Sequence, residues 1–310
     1  MSHKPKNKIV SALETWFLKN LGLIFRILPH RLALKHGANL ALFFHDTVGI
    51  RKKHAIKELL TCFPEKDEKW ARQQTRGVYR HFGKMMAEMY RIPHFIRWGF
   101  GGSTVLDEDS EKIMRECVER GKGTFIVSGH MGNWETAGAL ACYMGFPIDF
   151  LVGRQSNSGV EELLDVYRRM SGIEIIKAVD AGKGILRSLR KNRMVAVMID
   201  QDARKHGVFV PFFNRLSSTP RGVARFAVKM KPSLVFMHTY RRPDDKIAVK
   251  ILPVEFEYSG DNEKDIYDLT AKMTAMLEGF IRENPDQWLW LHRRWKTAPP
   301  EENSTVYKKA

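Results

Sequence analysis

Cysteine is scarce in this chain of 310 residues: only Cys62, Cys117 and Cys142 are present. No two of them stand at metal-ligand spacing, and three thiols without pairing logic make no disulfide framework. The zinc-protease helix is excluded in the same way, because His-Glu-x-x-His does not occur. Ser128 lies two residues before His130, but position 126 is Ile, so the Gly-x-Ser-x-Gly elbow of a covalent serine mechanism is missing. Acidic side chains also run short. The 51 Lys and Arg against 35 Asp and Glu leave a net charge of +16. A surplus of that size implies an anionic partner, whether nucleic acid, an anionic membrane or an acidic carrier protein. The basic residues are dispersed among apolar positions and no nucleic-acid motif is found, so a membrane surface is expected and nucleic acid is not. Repeats and low-complexity segments are absent, and the 44% hydrophobic content suffices for one full core.

An uncharged apolar run of spanning length is lacking too. Ile9, Leu13, Trp16, Phe17, Leu21, Ile24 and Leu28 recur at helical spacing, but Lys8, Glu14, Lys19 and Arg26 interrupt them. A spanning helix needs about 20 mostly apolar residues, and a charge at its centre costs roughly 3 kcal/mol. An interfacial helix on the cytoplasmic face is therefore expected. Lys4, Lys6 and Lys8 look like the basic start of a signal peptide, yet Glu14 and Lys19 break its apolar centre and no small-residue cleavage site follows. These features divide the chain into an amphipathic, membrane-associated helical segment (1–55), a main domain (56–300) and a polar tail (301–310). Val78, Phe82, Met85, Met89 and Ile92 form a further helical stripe between Trp70 and Trp98, read mostly as core packing.

What is present centres on Gly121-Lys-Gly-Thr-Phe-Ile-Val-Ser-Gly-His130-Met-Gly-Asn-Trp-Glu135-Thr. Thr124 to Ser128 reads as an inner strand bounded by glycines, and the residues from Asn133 onward read as helix, so His130 and Glu135 straddle a strand-to-helix turn. Sites in open α/β sheets favour the carboxyl ends of strands. A neutral imidazole whose second nitrogen is bonded to a carboxylate is fixed in one tautomer and made more basic. That pair suits deprotonation of an alcohol, with Glu135 as the expected orienter. Gly129 and Gly132 allow close backbone approach, and amides near Gly132 and Asn133 are candidates for stabilising an oxyanion. Candidate strands at 124–129, 147–153, 173–178, 194–199, 208–212, 233–240 and 247–256 alternate with helices, which predicts an α/β fold: a mixed, largely parallel sheet covered by helices. Asp200 ends the apolar run Val195-Ala-Val-Met-Ile199 and is a candidate to orient His130 or Arg154, or to bind a substrate hydroxyl or amine.

His130-(x4)-Glu135 resembles the His-x4-Asp/Glu signature of glycerolipid and lipid A acyltransferases, and its context is most similar to the bacterial lipid A late acyltransferases. Further segments follow in that family's order: Ile27-Leu-Pro-His-Arg-Leu-Ala-Leu-Lys-His-Gly37, Leu59-Leu-Thr-Cys-Phe-Pro64, Asp200-Gln201, Val210-Pro-Phe-Phe213 and Ser218-Thr-Pro-Arg-Gly222. Glu283-Asn-Pro-Asp-Gln-Trp-Leu-Trp-Leu-His-Arg-Arg-Trp-Lys296 resembles its C-terminal block closely, although the stretch at Leu59 lacks the usual Asn-Leu lead-in. Arg154 and Asn157 resemble the family's Arg and Asn after the second strand, and Arg154 suits a phosphate or thioester carbonyl. Arg293 and Arg294 are expected to meet phosphates, from a strand-like aromatic segment placed either at the bilayer interface or in the core. The resemblance implies direct transfer from an acyl thioester, carried by acyl carrier protein or CoA, to a hydroxyl of a lipid A precursor, with no metal or bound cofactor. A lysophospholipid or phosphatidylinositol mannoside acceptor, and an inactive basic membrane scaffold, are the alternatives.

Overall fold

The computed structural model describes residues 8–299. The expected tail (301–310) and Lys4 and Lys6 lie outside the described residues. Five N-terminal helices come first: α1 (Lys8–Ile27), α2 (His30–Thr47), α3 (Lys52–Cys62), α4 (Glu68–Tyr90) and α5 (Ile92–Trp98). The long helical stripe thus divides at Arg91, and Pro93 sits in the first turn of α5, where a missing N–H costs nothing. The α/β part runs β1 (Thr104–Leu106), α6 (Glu108–Glu119), β2 (Thr124–Ser128), α7 (Trp134–Tyr143), β3 (Ile148–Val152), α8 (Ser158–Met170), β4 (Glu174–Lys177), α9 (Ala181–Arg190) and β5 (Met194–Met198). It continues through β6 (Val208–Phe212), β7 (Arg215–Thr219), α10 (Gly222–Met230), β8 (Ser233–Arg241), β9 (Ile247–Pro253) and α11 (Asn262–Glu283). Asx side chains start several of these helices: Asp67 accepts from Trp70 N at 2.7 Å, Asp107 from Ser110 N at 2.8 Å and Asn133 from Thr136 N at 3.1 Å.

Seven strands form one sheet in the order β1-β9-β8-β2-β5-β3-β4, and β6 and β7 form a separate antiparallel hairpin. The five strands β8, β2, β5, β3 and β4 are parallel, while β9 runs antiparallel to β8 and β1 follows β9. The mixed, mostly parallel sheet expected from the sequence is therefore the fold. Every residue of β2 is buried, which a strand covered on both faces requires. Phe125 and Val127 point to a core shared with α9, α10 and α11. Ile126 points the other way, toward α6 and α7.

The N-terminal helices attach through close backbone contact. A Cβ on Gly37 of α2 would stand 2.4 Å from Gly83 O of α4, and one on Gly83 would stand 2.3 Å from Gly37 O, so neither position admits a side chain. Arg91 then donates to the end of α1, at Phe25 O (2.9 Å), Arg26 O (3.3 Å) and Leu28 O, satisfying carbonyls that a helix end leaves open. Gly22 and Phe25 of α1 pack on Tyr90. Leu21 and Leu28 pack beside them, and the rest of the apolar stripe faces outward: Trp16 is 66% exposed, Leu13 61% and Ile9 70%. No described helix is long and apolar enough to cross a membrane. The boundary expected between residues 55 and 56 falls inside α3.

Candidate active site

His130 follows β2 and Asp200 follows β5, the strand hydrogen-bonded to it. Register brings them face to face, because Ser128 pairs with Met198 and each residue of interest lies two further along. His130 Nδ1 meets Asp200 Oδ1 at 2.7 Å, and the His130 amide donates to Asp200 Oδ2 at 2.6 Å. Trp288 Nε1 donates to the same Oδ2 at 2.8 Å. Asp200 is 3% exposed at its side chain, so three protein donors replace its water. The ring of Trp134 stands edge-on to the imidazole, centroids 4.9 Å apart. The His130 side chain keeps 20% of its surface, and among the described residues no protein group bonds Nε2.

Burial works against a charged imidazole here, but the charge of Asp200 and its hydrogen bond outweigh it, with Glu135 adding and Arg168 subtracting; His130 titrates above its ordinary value. Burial likewise opposes the Asp200 carboxylate, yet His130 and the donated hydrogen bonds hold it well below the usual carboxylate range. The pair is thus an imidazole and an ionised carboxylate, and Asp200 is the group bonded to Nδ1. Glu135 is not. Both of its oxygens are taken by Arg168, at 3.1 Å to Nε and 2.5 Å to the terminal nitrogen, and Trp134 Nε1 adds a contact at 3.1 Å. The expectation that Glu135 holds the imidazole directly is corrected for this reason: His130 Nδ1 is already bonded to the adjacent strand's carboxylate. Glu135 acts on His130 only through its charge.

Several other expected substrate ligands are engaged elsewhere. Asn157 caps α8 by accepting from Gly159 N at 3.0 Å, and its amide donates to Ser11 O and Glu14 on α1. It docks the N-terminal helix and presents no free group to a ligand. Arg294 is wholly buried, donating to Ser218 O at 2.7 Å and Thr219 Oγ1 at 2.5 Å beneath the β6–β7 hairpin; burial pulls its pKa down to about 10. It is a structural staple and meets no phosphate. The aromatic block around it is core, since Trp288 and Trp290 are each 1% exposed, and it forms a turn with a single bridge from Trp288 to Met131 instead of a strand. Arg293 is exposed, and so is Arg154, which leaves β3 on the sheet edge that also carries His130 and Asp200. The Gly132 amide donates to Gln287 O at 3.2 Å and so is not open for an oxyanion, and the Asn133 side chain is bonded to Glu88 and Thr136. A helix start leaves its first backbone amides without partners inside the helix, and at α7 the Thr136 amide is taken by Asn133 Oδ1. Arg168, Glu88 and the Trp288 indole carry no local signature in the sequence, because each matters only through a partner far along the chain.

A strand-end histidine bonded to a buried carboxylate, beside a helix start, stands at the carboxyl edge of a mostly parallel α/β sheet. The profile of the family described as "Bacterial lipid A biosynthesis acyltransferase" matches residues 1–297. The chain belongs to that family and is an acyltransferase. It is similar to the lipid A biosynthesis palmitoleoyltransferase of Escherichia coli (strain K12), 23% identical over 296 residues, with 94% of this chain and 93% of that protein covered. It is also similar to the lipid A biosynthesis lauroyltransferase of the same organism, 25% identical over 297 residues, with 92% of each covered. The phosphatidylinositol mannoside acyltransferase of Mycolicibacterium smegmatis (strain ATCC 700084 / mc(2)155) is 23% identical over 228 residues, with 71% of each covered.

Proposed function

We propose that this acyltransferase moves a fatty acyl group from an acyl thioester, carried by acyl carrier protein, to a hydroxyl of a lipid A precursor at the cytoplasmic face of the bacterial inner membrane. The observation that carries the chemistry is His130, held at Nδ1 by Asp200 with Nε2 left for substrate. Nε2 takes the proton of the acceptor hydroxyl as its oxygen attacks the thioester carbonyl. The first-turn amides of α7 receive the oxyanion, and Arg154 is the candidate cation at the same sheet edge. Collapse of the tetrahedral intermediate breaks the C–S bond, and the departing thiolate takes the proton back from the imidazolium. The enzyme forms no covalent intermediate. A net charge of +16 suits an acidic carrier and an anionic bilayer alike.

The reading of the N-terminal segment as membrane-associated rests on its outward apolar surface. Leu13, Trp16 and Ile27 of α1, the last 84% exposed, are joined by Phe43, Val48 and Ile50 at the end of α2, next to Arg51, Lys52 and Lys53. Apolar side chains flanked by cations suit the headgroup boundary of an anionic leaflet. Replacing Leu13 and Trp16 together by Glu should abolish co-sedimentation with vesicles containing phosphatidylglycerol while leaving the fold intact, since neither side chain is buried. Undiminished co-sedimentation would remove α1 as the docking element.

The substrates are tested by incubating the protein with acyl-carrier-protein and CoA thioesters and with pools of lipid A precursor, lysophospholipid and phosphatidylinositol mannoside, reading acyl mass gains by mass spectrometry. Acylation of the lipid A precursor from the carrier protein is the expected result. Acylation confined to the mannoside, the acceptor in the Mycolicibacterium relative's name, would move the acceptor; transfer from CoA alone would move the donor.

A further inference from the structure

Glu88 is a carboxylate with 1% exposure, placed on the third-last residue of α4. A buried charge is costly unless fully partnered, and removal of a partner leaves it uncompensated. Its partners are specific. Oε1 accepts from Arg241 at 2.8 Å, and Oε2 accepts from Arg241 at 2.6 Å and from the Asn133 side-chain amide at 2.7 Å. Arg241 ends β8 and is clamped in turn by Gln287, whose Oε1 takes the Arg241 amide at 2.6 Å and whose Nε2 donates to Arg241 O at 2.9 Å. The carbonyl of that same Gln287 receives the Gly132 amide.

Asn133 stands at the pivot. Its Oδ1 caps α7, the helix whose first-turn amides are the proposed oxyanion donors, and its Nδ2 is tied to Glu88. The rest of the loop is bound from behind as well: His81 Nε2 meets Gly132 O at 2.8 Å, Thr239 Oγ1 donates to Met131 O at 2.8 Å, and Leu289 N donates to His130 O at 3.1 Å. His81 is wholly enclosed, and burial pushes its pKa down to about 3, so it is a neutral donor to that carbonyl throughout the working range. Gly132 itself has φ +57°, and a Cβ there would lie 2.0 Å from Thr239 O. The loop from His130 to Asn133 is thereby pressed into one path.

We infer that Glu88 and Arg241 are positioning residues for acyl transfer: through the Asn133 amide they fix the His130–Asn133 loop and the start of α7, and so the distance between the base and the oxyanion donors. The inference rests on His130 being the base. A misplacement of about 1 Å in such a site costs roughly 10²-fold in rate. A purely structural pair would instead lower stability and leave the turnover of the folded protein unchanged.

Asn133→Ser separates the two roles, because Ser caps a helix about as well as Asn but has no amide to donate to Glu88. Glu88→Gln and the double variant complete a cycle. In protein whose near-ultraviolet circular dichroism matches wild type, Asn133→Ser should lower kcat about 10²-fold with KM within about threefold, and the double variant should be far less impaired than the product of the two single losses. His130→Ala is run alongside. If it is inactive and Asn133→Ser turns over within about threefold of wild type, only this inference falls. If His130→Ala keeps wild-type activity, the base assignment fails and the inference with it. Losses that multiply in the double variant, or that only track loss of folded protein, also overturn it.

Discussion

His130→Ala should leave the enzyme close to inactive, with kcat down by about 10²–10⁴-fold, the range a positioned general base supplies. Neither nearby carboxylate is placed to substitute for it. Asp200 is nearest, but its carboxylate is held in the ionised form by three donors and is a weak base for an alcohol proton. Both oxygens of Glu135 are occupied by Arg168. The loop backbone keeps its contacts to Gln287, Thr239 and His81, none of which uses the imidazole, so the fold and the acceptor's KM should change little. Single-turnover acyl transfer with saturating thioester measures the step directly.

Asp200→Asn should be nearly as damaging, on the order of 10³–10⁴-fold in kcat, the loss seen when the same swap removes the orienting carboxylate of a Ser-His-Asp triad. The substitution preserves size, and Asn still has an acceptor for the Trp288 indole or the His130 amide. What it cannot supply is a negative charge beside Nδ1. The imidazolium formed on proton transfer then has no buried counter-ion within hydrogen-bonding distance, and an Asn amide turned the wrong way stabilises the tautomer that carries its proton on Nε2. The loss should therefore appear in kcat with folded protein recovered in normal yield.

The sequence revealed most of the sheet because inner parallel strands write their burial as short apolar runs, and Thr124–Ser128 and Met194–Met198 are two of them. Two strands escaped notice. β1 has three residues, too few for any period, and β7 is Arg-Leu-Ser-Ser-Thr, a polar string paired with Val208–Phe212 through a turn in which Phe213 and Asn214 both take positive φ without a glycine. At the site, His130 stood out because a strand-to-helix turn with two glycines is a local pattern. The choice between Glu135 and Asp200 as its partner was not local. It depended on β5 lying beside β2, with β3 beyond it, an order that no spacing along the chain encodes. Asn157 and Arg294 misled for the converse reason: polar side chains in a family-like block look the same in sequence whether they meet a ligand or, as here, a helix start and a hairpin carbonyl.

The pairing of His130 with Asp200 is tested most directly by the pH dependence of kcat/KM for wild type and Asp200→Asn on the same thioester and acceptor. The neutral imidazole is the active form, so wild-type activity should rise with pH through an inflection above the ordinary histidine value of 6.5, where the Asp200 carboxylate holds it. With the carboxylate removed, burial is opposed only by Glu135, and the residual activity of the variant should inflect at distinctly lower pH. Coincident inflections in the two proteins would contradict the account, because they would mean that Asp200 does not set the protonation of the base.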